Sequence, residues 1–277
     1  MNQLYKATSI SKQAVHQYER RQALFDSKIA NLVLEVDELR KAHPGCGVEK
    51  IYYTLKPDFI GRDRFIETFM ALGYRIKKRK NYRRTTFSSK LYYPNLIKGL
   101  IINKPSSIWQ SDITYIAVGG RFYYAVFIID VYTRNIVGYQ VSDHMRATAN
   151  INALKMALKG HEPPEIHHSD RGSQYVCKEY ISILKNENSK ISMGLSAQDN
   201  AYAERINKTI KEEYLDYWMP ISFSQLKACV KKAVSNYNGR RAHNNLGKKS
   251  PVSFEEFWSL IDINQRPKLS IFDNEKE

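Results

Sequence analysis

The chain has 277 residues, 43% hydrophobic, 26% charged and 12% aromatic, proportions that exclude a disordered or collagen-like polypeptide. Its 43 Lys and Arg outnumber 28 Asp and Glu, leaving a formal charge of +15. A surplus that large coats a surface, which makes a polyanion, nucleic acid first, the expected partner. Cys46, Cys177 and Cys229 stand far apart with no C-x-x-C pair, so by themselves they build neither a zinc ribbon nor a disulfide framework. No apolar run approaches the roughly 18–20 residues of a membrane span. The opening MNQLYKATSISKQ lacks the hydrophobic centre of a signal peptide. These features lead us to expect a cytoplasmic protein with no membrane partner.

The first third carries most of the charge: 20 of the Lys and Arg but only 9 of the Asp and Glu fall in residues 1–100. Two helix-turn-helix units are expected there, within an all-α DNA-binding region over residues 1–80. In the first, Ser11 is an N-cap for a short polar helix, followed by a longer amphipathic one over Ala23–Arg40 with Ile29, Leu32, Val33, Val36 and Leu39 on one face. His43-Pro44-Gly45 breaks it. The second pairs Val48–Leu55 with Arg62–Leu72 across a turn at Pro57–Gly61, closed by Gly73. Arg75 to Arg84 then holds seven basic residues in ten, and Lys77, Lys78, Arg79, Lys80, Arg83 and Arg84 are candidate DNA contacts. The run leads from the helical region into a basic linker expected over 81–104.

Beyond residue 105 the pattern becomes that of a sheet. Ile108–Val118 is β-rich and ends at the hairpin signal Gly119-Gly120. Phe122–Tyr132 is almost continuously apolar, as a central strand buried on both faces would be. Ile136–Ser142, Ile166–Ser169 and Ile191–Leu195 are further strands, with helices over Ala147–Leu158, Tyr175–Asn186 and from Asn200 to Tyr217. The order predicts an α/β fold with a mixed five-stranded sheet flanked by helices. This core with its C-terminal helices is expected over 105–265, and a flexible tail over 266–277.

Three carboxylates occupy converging positions in that order. Asp112 lies in the first long strand, Asp170 just past the fourth, where α/β folds place sites, and Glu204 early in the long helix. Acids brought together repel unless a cation sits between them, and hard Mg²⁺ ions prefer such oxygens. Two ions about 3.5–4 Å apart can clamp both oxygens of an in-line phosphoryl transfer. Asp130, Asp143 and Asp199 are instead expected at turns or helix caps.

The strings Trp109-Gln110-Ser111-Asp112-Ile113-Thr114-Tyr115, His168-Ser169-Asp170-Arg171-Gly172-Ser173-Gln174-Tyr175 and Asp199-Asn200-Ala201-Tyr202-Ala203-Glu204 resemble the DDE transposases of bacterial insertion sequences, OrfB type. Tyr237-Asn238, Arg241, His243, Leu246 and Ser250-Pro251 extend the likeness. The resemblance implies a ribonuclease-H-like fold with an integrase catalytic core as in retroviral integrases. It implies Asp112, Asp170 and Glu204 as catalytic, metal-holding residues with two Mg²⁺ ions, Mn²⁺ substituting. It also implies nicking of transposon ends followed by 3′-OH strand transfer. Expected partners are double-stranded DNA (terminal inverted repeats and target), further copies of the chain on that DNA, and an upstream-frame transposase subunit. The bacterial cytosol, at the nucleoid, is the expected location. The 33 residues between Asp170 and Glu204 are slightly fewer than is usual in the family, a shortfall assigned to the Gly194–Asp199 loop. A catalytically inactive DNA-binding regulator and a structure-selective nuclease on the same fold are the alternatives.

Around the three acids, Lys208 and Lys211 share a helix face with Glu204 and are candidate phosphate contacts. Ser173 and Gln174 are candidates for the substrate backbone. Arg241 is another phosphate contact, although it and His243 serve equally well to anchor the C-terminal helix. His168 reads either as orienting a metal ligand or as a core position, with His167 on the opposite face.

Overall fold

A computed structural model describes residues 11–76 and 92–271. Helix α1 (Lys12–Ala42) is capped by Ser11, whose hydroxyl accepts the Ala14 N–H at 3.1 Å. The expected turn between two helices here does not form. No Gly or Pro occurs from residue 12 to 42, and the Gln, Arg, Glu and Ala between His16 and Ala23 favour helix, so one rod of 31 residues results. The second unit does form, as α2 (Val48–Leu55) and α3 (Arg62–Ala71). Leu32 and Val36 of α1 pack against Ile51, Phe65 and Phe69, giving this helical region a hydrophobic core of its own.

Strand β1 (Ile101–Ile102) is followed by β2 (Ile108–Val118), β3 (Arg121–Asp130) and β4 (Ile136–Ser142). The last three form an antiparallel meander whose first turn places Gly119 and Gly120 at φ +57° and +77°, values that suit glycine. Asp130 ends β3 because its carboxylate accepts the backbone N–H groups of Ser106, Tyr132 and Thr133, turning the chain as its sequence suggests. Helix α4 (Ala147–Gly160) leads to β5 (Ile166–Ser169), and α5 (Lys178–Asn186) to β6 (Lys190–Met193). The helix expected over Tyr175–Asn186 is preceded by a separate 3₁₀ turn, Ser173–Val176.

The sheet order is β4-β3-β2-β5-β6, with β5 and β6 parallel to their neighbours. One face is covered by α4 and α5, through Val126, Ile128, Leu154 and Leu184. The other is covered by α6 (Ala201–Ile210) and α7 (Phe223–Arg240), through Phe127, Ile129, Ile206 and Val230. Helix α6 continues through a π turn, Lys211–Leu215, and a last turn, Asp216–Trp218. Helix α8 (Pro251–Leu260) precedes β7 (Leu269–Ser270).

Two expected boundaries move. Half of the expected linker belongs to the core: Ile97 is fully buried, Pro94 O accepts from Met193 N along β6, and Leu96 N donates to Ser192. The expected tail begins too early, since β7 pairs antiparallel with β1 and Ile271 is buried.

The helical region also docks directly on the core. Gly45 N donates to Glu213 O at 2.7 Å, His43 Nδ1 and the Tyr214 hydroxyl are 3.0 Å apart, and Asn236 Nδ2 donates to Ala42 O. A Cβ on Gly45 would lie 2.3 Å from Glu213 Cα, so only glycine permits this approach.

Candidate active site

The register of β2 against β5 brings two of the acids together. Ser111 pairs with Ser169 in parallel, so the residues that follow them, Asp112 and Asp170, are neighbours where the two strands part, close enough for each other's charge to be felt. Glu204 reaches them because the start of α6 is fastened to β2. The buried Gln110 side chain accepts the N–H groups of Tyr202 and Ala203 at 3.1 and 3.3 Å, and its amide donates to Asp199 O. Asn200 Nδ2 donates to Ser111 O at 2.9 Å. Gln110 thus caps the helix that carries Glu204, satisfying N–H groups that a helix start leaves free. The short Gly194–Asp199 loop is a tight cap in which Ser196 and Asp199 bond reciprocally, and Asp199 serves the capping role expected of it.

Burial pushes the Asp112 carboxyl up to about 8, with the charges of Asp170 and Glu204 adding to it. The Ile113 N–H and the Asn207 amide, which donates to Asp112 Oδ2 at 2.7 Å, act the other way. Asp170 is raised by burial against the pull of the Gly172 N–H, 3.0 Å from its Oδ1. Glu204 is raised by burial and by Asp170. Each is held toward its neutral form, and none takes part in an ion pair among the described residues. Among the described residues no three His, Cys, Asp or Glu side chains already close on one point. Two ions would ask instead for pairs of acids, and hard carboxylate oxygens sensing one another's charge fit divalent cations.

The integrase core domain family matches residues 102–197, and a second family described as integrase core domain matches 187–251. An insertion element IS600 uncharacterized 31 kDa protein of Shigella sonnei is 34% identical over 71% of this chain and 75% of its own length. The transposase for insertion sequence element IS629 of Shigella sonnei is 31% identical over 77% of this chain and 75% of its own. The chain belongs to the insertion-sequence transposases with an integrase core. DNA transposition is therefore its field of action. A chain from the simian T-cell lymphotropic virus intasome in complex with PP2A regulatory subunit B56 gamma matches with a TM-score of 0.51 at 16% identity. The match covers 65% of this chain and 64% of that one, and it supports the fold.

The other expected site residues of this transposase fare differently. Lys208 stays exposed one turn after Glu204, 3.9 Å from Glu212. Lys211 turns inward to Thr114 Oγ1 at 3.2 Å and lies over the Tyr115 ring, at the start of the π turn. Ser173 is exposed, whereas Gln174 donates to Met145 O. Arg241 is not a phosphate contact: it is 5% exposed and its Nε and Nη2 both bind Glu213 at 2.7 Å, so it anchors the end of α7. His168 is a core residue, bonded through Nδ1 to Ser192 and pushed down to about 4 by burial, and His167 pairs with Tyr180 on the other face. Lys77, Lys78, Arg79, Lys80, Arg83 and Arg84 lie outside the described residues. The positioning roles of Gln110, Asn200 and Asn207 were missed. Gln110 alone carried a sequence signal, as an amide in an otherwise buried strand.

Proposed function

We propose that this transposase binds the ends of its element, cuts them, and joins the freed 3′-OH to target DNA as an oligomer, using Asp112, Asp170 and Glu204 with two Mg²⁺ ions. Family membership supports the reaction class, and the neighbouring positions of Asp112 and Asp170 beneath the clamped start of α6 carry the assignment of residues. Asp112 with Asp170, and Asp112 with Glu204, are the pairs that would each hold one ion. A bound pair of ions supplies charge stabilisation to the attacking and leaving oxygens of an in-line displacement at phosphorus. The chain's own contribution is orientation. Asn207 fixes one oxygen of Asp112, the Gly172 N–H fixes one of Asp170, and Gln110 and Asn200 hold the helix bearing Glu204. No covalent nucleophile is required. Lys208, exposed beside Glu204, is placed to hold a DNA phosphate.

The test uses purified Asp170→Asn protein with DNA carrying the element's terminal repeats, intact or pre-nicked with a free 3′-OH. Cleavage and joining should both vanish while DNA binding persists. Wild-type rates in the variant would overturn the assignment. Wild-type protein that cuts but never joins would mark a nuclease, and one that binds without cutting a regulator.

A further inference from the structure

We propose that a second, cationic cavity on the far side of the α6 start is a subsite for one phosphate of a bound DNA strand and its nucleotide. It rests on the DNA-binding reading above. The cavity has a volume of about 230 Å³ and lies between the β3–β4 turn, residues 245–249, α8 and residues 267–269. Its charged lining residues are Arg134, Lys249 and Lys268, with no Asp or Glu among them. Glu255, in the neighbouring helix, is bonded by Asn135 and does not line it.

Arg134 marks this as a built site. The residue is 8% exposed, its guanidinium stacks on the Tyr202 ring at 4.0 Å and makes no ion pair among the described residues, and its nitrogens stay open to the cavity. Its planar fork is thus left free to take an anion that a ligand brings, beside Lys249 and Lys268. The backbone of Arg134 sits at φ +63°, a left-handed conformation that only the surrounding turn can impose on a non-glycine residue. The walls are aromatic: Tyr132 and Phe254 are buried, and Phe257 at the rim is 42% exposed with Lys249 over its ring. Cations that neutralise a phosphate beside an exposed ring on which a base can stack are the elements of single-strand recognition. Tyr202 lies two residues before Glu204 on α6, and residues so spaced point to opposite sides of a helix, so the cavity and the acids flank the same helical turn from its two sides.

The experiment uses full-length protein in EDTA, so that the three acids repel rather than bind phosphate, and follows thermal melting. The probes are a 5′-phosphorylated thymidine dinucleotide and inorganic phosphate at equal concentration. The dinucleotide should raise the melting temperature of the wild type, well beyond the effect of inorganic phosphate. The shift should disappear in Lys249→Gln/Lys268→Gln, which changes one half-buried and one exposed side chain, and in Arg134→Gln. With terminal-repeat DNA, the double variant should lower the slope of log K against log salt by about 1, one phosphate contact. A shift retained in the double variant, absent from the wild type or matched by inorganic phosphate overturns the subsite. A dinucleotide shift in a wild-type protein that neither cuts nor joins DNA would instead sink the proposed function and leave the cavity standing.

Discussion

Glu204 and Glu213 stand nine residues apart on one continuous helical rod and meet opposite fates. Glu204 faces two other acids, none of the three in an ion pair among the described residues, and its carboxyl is pushed up by burial and Asp170. Glu213 is more deeply placed, yet its carboxyl is held below the ordinary range: the bonds and charges of Arg241 and Lys50 outweigh the burial that opposes them. Folding alone rewards the second arrangement, in which a buried carboxylate meets a guanidinium in two parallel bonds. It does not reward the first. An uncompensated cluster of acids in a protein of charge +15 is a place where stability has been given up for something that binds there later.

The sharpest way to break this contrast is to remove one charge at each end. Asp112→Asn should lower DNA cleavage at least ~10³-fold, since losing a metal bridge removes several kcal/mol of charge stabilisation, while metal-free melting temperature stays level or rises. Arg241→Ala should do the reverse. It should cost about 3–5 kcal/mol in chemical denaturation by stranding Glu213, with activity lost only as far as folding is lost. An Asp112→Asn protein that unfolds, or an Arg241→Ala protein of unchanged stability, would erase the distinction.

Gly45→Ala tests the docking at the Glu213 end. Its added methyl has no room against the Glu213 backbone and should cost about 1–3 kcal/mol, read as earlier proteolysis between the helical region and the core. The two ends should also answer pH with opposite signs. Asp112, ionising near pH 8 when folded instead of 3.8, contributes stability that is complete below pH 4 and lost as pH rises to 8. Glu213 contributes stability present above its ordinary 4.5 and lost as pH falls through its lowered folded value. In EDTA the wild type should therefore lose melting temperature relative to Asp112→Asn between pH 5 and 8, and equal slopes would refute the repulsion. The smallest effect belongs to Lys208→Gln. It should change stability by under ~0.5 kcal/mol, because its pair with Glu212 is exposed, yet it should weaken binding of terminal-repeat DNA.

What could be read from residues alone follows the range of each interaction. The strand Phe122–Tyr132 declared itself by unbroken apolarity, and Asp112, Asp170 and Glu204 by their places in the order of elements. The Gln110 and Asn200 clamps stayed hidden because a side chain that caps a distant helix leaves no periodic mark. The two readings of Arg241 stay open in the sequence for a similar reason: a phosphate contact and a helix anchor look alike until the partner, Glu213, 28 positions earlier, is seen. The two-residue strands β1 and β7 are too short for any pattern, and the missing turn in α1 required noticing what its sequence lacks rather than what it contains.

The pairing of β1 with β7 means that the chain comes into the core and goes out of it at a single corner. A fluorophore on the exposed Ser270 and a quencher on the exposed Ile101 would therefore face each other across one strand pair. Brightening of that pair would report the moment the two ends of the core part.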